Sequence, residues 1–283
     1  MLAAVLYAVA ALLIKRSAEL GVGLWRIAFV SNVVIATLFQ SLWLFGDEFP
    51  WHLWWQPVVI AIGFVLGQWL TFVSIERGDV SVATPVMGIK ILLVAICVTL
   101  LNGDMLRPSM WAAAVLATIG IALLNRRGSS LHRNVGFTIV TAGLSAITFA
   151  LFDVLVQNWS PGWGLGTFLP LSFGLGGIFS LVFVPRFSAP LSQIPQAAWP
   201  WLLWGSFAMG LQSLIFVSTV AHWGHAAQAN VMYSSRGLWS VLLVWIVGHW
   251  FSSREQHLGG QILGWRLAGA ALMMSAIVLV LSY

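Results

Sequence analysis

Charged side chains make up only 7% of this 283-residue sequence, against 60% hydrophobic residues. A soluble chain of that size needs far more charge on its surface, so the composition excludes a globular domain in water and indicates a multi-pass integral membrane protein. Cysteine is almost absent. The single Cys97 lies inside an apolar run, which rules out an intrachain disulfide and leaves a packed thiol. Sustained basic runs are missing too. The 13 Lys and Arg are scattered at the ends of apolar segments, so the formal charge of +5 reflects membrane topology and gives no nucleic-acid partner. No Walker-type glycine loop and no Gly-x-Ser-x-Gly elbow occurs, so neither a nucleotide-hydrolysing motor nor a common hydrolase is indicated. No cofactor is implied. His222 and His225 stand three apart without a nearby carboxylate or Cys cluster, so no metal site is expected.

What is abundant is apolar sequence in lengths that cross a bilayer. Segments bounded by Gly, Pro or charge fall at about 2–19, 24–45, 56–76, 80–102, 108–125, 135–158, 164–184, 199–221, 226–251 and 260–282. The expected fold class is therefore all-α integral membrane, with ten transmembrane helices and short loops. Many of the seventeen Trp residues cluster at segment ends, as in Trp51, Trp54 and Trp55, where interfacial aromatic belts form. Residues 1–14 carry no basic residue before the run and no small-residue cleavage site after it, so they read as a span and not as a signal peptide. That span is short and begins at the initiator Met, which points to a start further upstream.

The chain also repeats itself. One constant shift aligns Gln68, Leu70, Phe72, Val73 and Ser74 with Gln212, Leu214, Phe216, Val217 and Ser218; slightly larger shifts pair Val86 and Met87 with Val231 and Met232, and Lys90 with Arg236. Two five-helix repeats, 1–127 and 134–283, are expected. Because five is odd, the second repeat enters the membrane from the opposite side, giving the inverted symmetry of many secondary transporters, with a site near the midplane.

Arg236 lies about ten residues into the ninth span, which at 1.5 Å per residue is roughly 15 Å deep. A cation there costs about 2.5–3.5 kcal/mol and faces a bundle interior or a wet cavity. Asn230, Tyr233 and Ser240 share its helix face and join it as expected solute-binding residues. Lys90 sits at the matching depth of the fourth span. It reads either as a structural cation or, with Arg236, as a clamp whose balancing anion arrives with the solute. Gln68 and Gln212 are the symmetric polar pair of the cavity wall. Asp153, with Gln157 one turn later and Phe149 on the same face, is the candidate for proton coupling or for a salt bridge to Lys15 or Lys90. Glu76, Arg77 and Asp79 read as a wet loop.

These residues resemble a known family. Tyr7 eight positions before Lys15, Ile14-Lys15 followed by Arg26 early in the second helix, Gly103-Asp104 between helices four and five, and Gly269-Ala270-Ala271-Leu272 in the last helix are similar to the EamA-like branch of the drug/metabolite transporter superfamily. The resemblance covers nearly the whole chain. It departs at Asp104, where the family tends to have Glu, and Lys90 and Arg236 are not general family features. It implies a solute carrier with a central cavity, working outward, and not an enzyme. The expected function is secondary active transport of a small organic anion or zwitterion across the cytoplasmic membrane, with the bilayer and protons as the other partners. Two alternatives stand beside it: a flippase for a lipid-linked phosphate or glycan, and an intramembrane lipid-modifying enzyme using His222, His225 and Asp153. Matched charges in the two halves favour a carrier, since a catalytic cluster has no reason to repeat.

Orientation follows from the basic residues. With ten spans, Lys15, Arg16, Arg26, Arg77, Arg126, Arg127, Arg133, Arg186, Arg254 and Arg266 share one side with only Arg107 opposite, which makes the crowded side cytoplasmic and puts both termini outside. The resemblance implies the reverse, a conflict that a missing N-terminal extension would resolve. A Ser129→Cys variant should therefore resist an impermeant thiol reagent in intact cells; labelling there would reverse the topology.

Overall fold

A chain this apolar leaves its backbone little water to bond, so every segment crossing hydrocarbon has to close its hydrogen bonds internally, and helices do so. The computed structural model describes residues 1–46, 48–103, 105–124, 134–247 and 260–282, and among them no strand occurs. The helices are α1 (Leu2–Glu19), α2 (Leu24–Phe39), α3 (Trp55–Arg77), α4 (Val80–Gly88), α5 (Lys90–Asn102), α6 (Pro108–Leu124), α7 (Val135–Trp159), α8 (Leu165–Phe179), α9 (Trp199–Trp223), α10 (Ala226–Ser234), α11 (Arg236–Val247) and α12 (Gly260–Leu281). Tight helical turns extend α2 to Phe45 and α8 to Arg186. Among the described residues six stretches are long and apolar enough to cross a membrane: Leu24–Phe45, Trp51–Arg77, Val82–Asn102, Val135–Gly162, Leu165–Arg186 and Gln196–Trp223. Asp104, the 126–130 loop, Arg133, Arg254 and the end of the ninth span past residue 247 lie outside the described residues.

The chain divides into two compact units, and each takes helices from both halves of the sequence. One unit comprises residues 2–65 and 155–224. Here α1 and α2 pack on α9, and α2 on α8. Val22, Ile27, Val30, Ile194, Ala198 and Leu202 form a buried cluster at one end. Small residues set the closeness. A Cβ on Gly205 of α9 would come within 2.9 Å of Ile14, and one on Gly177 of α8 within 2.7 Å of Ala36. The Ser31 and Ser206 hydroxyls meet at 2.9 Å between α2 and α9. Arg26 is 4% exposed and donates to the Gly21 carbonyl at 2.9 Å, so this family-type residue ties down the turn between α1 and α2.

The other unit comprises Met1 and residues 66–154 and 225–283. In the loop after α3, expected to be wet, Glu76 and Arg77 are exposed but Asp79 is buried: its backbone N–H donates to Thr138 Oγ1 at 2.9 Å, and Asn134 Nδ2 donates to the Arg77 carbonyl at 3.3 Å. Gly78 makes that approach possible, since a Cβ there would lie 2.3 Å from Thr138 Oγ1. Higher up, Thr71 and Ser145 share a 2.7 Å hydroxyl bond, and Ser145 donates to the Gly67 carbonyl at 2.9 Å, joining α3 to α7.

In the same unit α6 lies along α12 at Gly120 and Gly269. A Cβ on Gly269 would meet the Gly120 carbonyl oxygen at 2.8 Å and the Leu124 nitrogen at 2.9 Å. Backbone atoms cannot rotate aside, so Gly269→Leu should destabilise the purified protein by about 1–3 kcal/mol or more. Gly143→Ala on α7, where a Cβ meets nothing within 4 Å, should instead be neutral or gain up to about 1 kcal/mol. Thermal unfolding of both variants in detergent checks this.

Candidate functional site

Both spans that carry a central cation are interrupted one residue before it, whereas the sequence suggested unbroken helices. Pro85 inside α4 has no N–H to give to the carbonyl four residues back; separately, the Ile89 N–H bonds only three residues back, to Val86 at 3.1 Å, before α5 starts at Lys90. Between α10 and α11 no proline is present. There the hydroxyls of Ser234 and Ser235 bond the carbonyls of Val231 and Met232 at 2.6 and 2.7 Å, competing for acceptors of the helix ladder. The Ser235 N–H again bonds three residues back, to Met232 at 3.3 Å, and α11 starts at Arg236. Glycines flank each break, Gly88 against Ile121 and Gly237 against Leu124.

Lys90 meets its counter-ion on α7. Its Nζ lies 2.7 Å from Asp153 Oδ2, and its side chain is 19% exposed against 3% for the aspartate. Asn230 of α10 donates Nδ2 to the same Oδ2 at 2.7 Å and to the Ala226 carbonyl at 2.9 Å. The Phe149 ring, one turn before Asp153, stands under the ammonium with its centroid 5.8 Å away. Three helices therefore converge on one carboxylate, among buried Ala146, Ala150 and Val154.

Several sequence expectations change here. Of the two partners considered for Asp153 it is Lys90 that binds it, while Lys15 is exposed. The anion that balances Lys90 is built into the chain and need not arrive with a solute. Both amide protons of Asn230 are committed, one to Asp153 and one to the Ala226 carbonyl, so it positions the carboxylate.

Arg236 stacks on Tyr233, its guanidinium carbon 4.6 Å from the ring centroid, as their shared face suggested. The Ser240 hydroxyl bonds the Arg236 carbonyl at 2.8 Å. Gln68 is half-buried on α3 in this unit. Gln157 and Gln212 are buried in the other unit, where Gln212 Nε2 donates to Ser213 Oγ at 2.6 Å. The His222 ring packs edge-on against Trp223, and among the described residues no group of three potential metal ligands gathers. The sequence reading noted Phe149 but missed its place beneath Lys90. The four-residue spacing to Asp153 was the available signal.

Ionisable groups inside apolar helices, paired with one another or laid on an aromatic ring, are rare and mark functional sites in membrane proteins. The model of the EamA-like transporter family matches residues 1–126. That family is part of the drug/metabolite transporter superfamily, the one its motifs resembled. No curated protein matches the sequence. A crystal structure of another protein superposes with a TM-score of 0.74 over 98% of this chain and 93% of its own, at 16% identity, which shows a shared fold.

In this chain the carboxylate's hydrogen bond is the accessible test. Asn230→Leu leaves Asp153 with Lys90 alone and should cost about 1.5–3 kcal/mol, the range for a bond to a charged group. Ser240→Ala removes only a bond to its own helix backbone and should change stability by less than about 0.5 kcal/mol. Equal losses in a thermal-stability comparison would remove Asn230 from the cluster.

Proposed function

We propose that this chain is a secondary transporter that exports a small zwitterionic or anionic metabolite across the cytoplasmic membrane by alternating access of two inverted five-helix repeats, 1–127 and 134–283. The observation that carries the reading is the buried Lys90–Asp153 pair with Asn230 on it. A buried pair is weak support for stability, because desolvation offsets most of the attraction, yet losing one partner is costly. Such a pair opens when something replaces both halves. A zwitterion does this, bringing a carboxylate to Lys90 and an ammonium to Asp153, while a proton on Asp153 does half of it.

The repeat reading is supported by the matched interruptions before Lys90 and Arg236. It is also supported by the packing of corresponding helices on each other within a unit, α6 on α12 and α2 on α8. In the matched position Arg236 offers a planar fork that holds a carboxylate through two parallel bonds, which an ammonium cannot do.

Coupling follows from competition. A solute ammonium and a proton cannot both occupy Asp153, so an inward proton gradient drives a zwitterion outward. For a simple anion the sign reverses, because protonating Asp153 releases Lys90 to bind it, and the same gradient then drives uptake, so export by this coupling is the zwitterion's route. A thermal-shift screen of purified protein against amino acids and organic acids should find the ligand, since saturation at 100 times the dissociation constant adds about 2.7 kcal/mol. Asp153→Asn should lose gradient-driven accumulation while retaining exchange. Arg236→Lys should bind more weakly at unchanged stability. Driven transport that survives in Asp153→Asn would end the coupling role.

A further inference from the structure

The unit built from α1, α2, α8 and α9 carries a feature the transport reading does not use. Between α2 and α8 runs a groove of about 380 Å³, lined on α2 by Phe29, Val33 and Gln40 and on α8 by Gly174, Gly177 and Ile178. Its wall is almost wholly apolar, and Val33 and Ile178 are 42% and 60% exposed. Both helices belong to stretches long and apolar enough to cross a membrane, so the groove opens toward lipid.

Its dimensions and its ends point to one occupant. From Phe29 to Gln40 is about 16 Å along the helix, close to half of a hydrocarbon core of about 30 Å, which is the depth one leaflet's acyl chain covers. At the far end Gln40 donates Nε2 to the Ala36 and Pro170 carbonyls and accepts from Trp43 Nε1, so its polar atoms are held by the protein. The near end is basic. Phe29 meets Phe187 edge-on at 5.7 Å, and one turn back Trp25 lies under the Arg186 guanidinium at 5.8 Å. Arg186 thus stands about one helical turn beyond the groove, about 6 Å, where a phosphodiester would lie above its acyl chain. A guanidinium at that level attracts anionic headgroups.

We infer that the α2–α8 groove is a binding site for an anionic phospholipid, with one acyl chain between Val33 and Ile178 and the phosphate at Arg186. Small residues keep the helices close while leaving no side chain to fill the trough. The site rests on the multi-pass membrane character of the chain and is independent of the transport chemistry at Lys90.

Native mass spectrometry of the detergent-purified protein with added phosphatidylglycerol or phosphatidylcholine tests it. The wild type should hold phosphatidylglycerol roughly fivefold more tightly, the factor expected for one basic residue near a phosphate. Val33→Trp fills the groove and should lose the bound lipid, whereas Val140→Trp, at an exposed position on α7, should not. Arg186→Gln should bind both lipids equally, and Arg186→Lys should keep most of the preference. Inorganic phosphate should not compete at concentrations that leave the protein folded. Undiminished phosphatidylglycerol binding by Val33→Trp would overturn the groove assignment, and an unchanged preference in Arg186→Gln would overturn the headgroup assignment. Disulfide capture of a second copy through Val33→Cys, with no lipid retained, would make the groove a protein interface instead.

Discussion

A charge held inside an apolar helix bundle has to be met by another charge, and in this chain Asp153 meets Lys90 at 2.7 Å. Much of the surrounding architecture answers to that contact. The carboxylate comes from α7, the ammonium from the first residue of α5, and the amide that completes the carboxylate's bonding from α10. Phe149 supplies a ring face to the cation, and small residues on α7 leave room for the aspartate to lie against its neighbours. A pair of this kind adds little net stability, because desolvation offsets most of the attraction, yet losing one partner is costly.

The interruptions before Lys90 and Arg236 belong to the same architecture. A single i to i−3 bond tightens each helix without unwinding it, as the αR backbone at Ile89 and Ser235 shows. The two breaks are reached by different chemistry, a proline upstream in one half and paired serine hydroxyls in the other, yet each places a cation at the start of the next helix. Arg236, lying on Tyr233, gives the second position a planar donor where the first has a point charge.

The positions of the helices were readable from apolar length and from the Gly, Pro and charge between runs, because a bilayer leaves the backbone no other regular choice. Lys90, Arg236 and Asp153 stood out for the same reason: ionisable groups are rare in such runs. What the sequence could not tell was which partner each would take. Asp153 had two possible cations, and helical periodicity speaks only for neighbours on the same helix. Asn230 was read as a solute contact because its face was shared with Arg236, but its amide turns across to α7. Asp79 was read as solvated because it follows Glu76 and Arg77, and only the approach of Thr138 to Gly78 buries it. The interruptions were illegible for a subtler reason: Pro85 and the two serines permit a break without specifying it.

The dependence of this unit on one ion pair is most directly tested by a double-mutant cycle on Lys90→Met and Asp153→Leu, read as unfolding free energy of the purified protein. Lys90→Met strands a buried carboxylate and should cost about 3–5 kcal/mol, Asp153→Leu strands a half-buried ammonium and should cost less, and the double variant, with neither charge to bury, should be more stable than Lys90→Met. Single effects that simply add, to within about 0.3–0.5 kcal/mol, would mean that the two side chains do not depend on each other and would contradict the account.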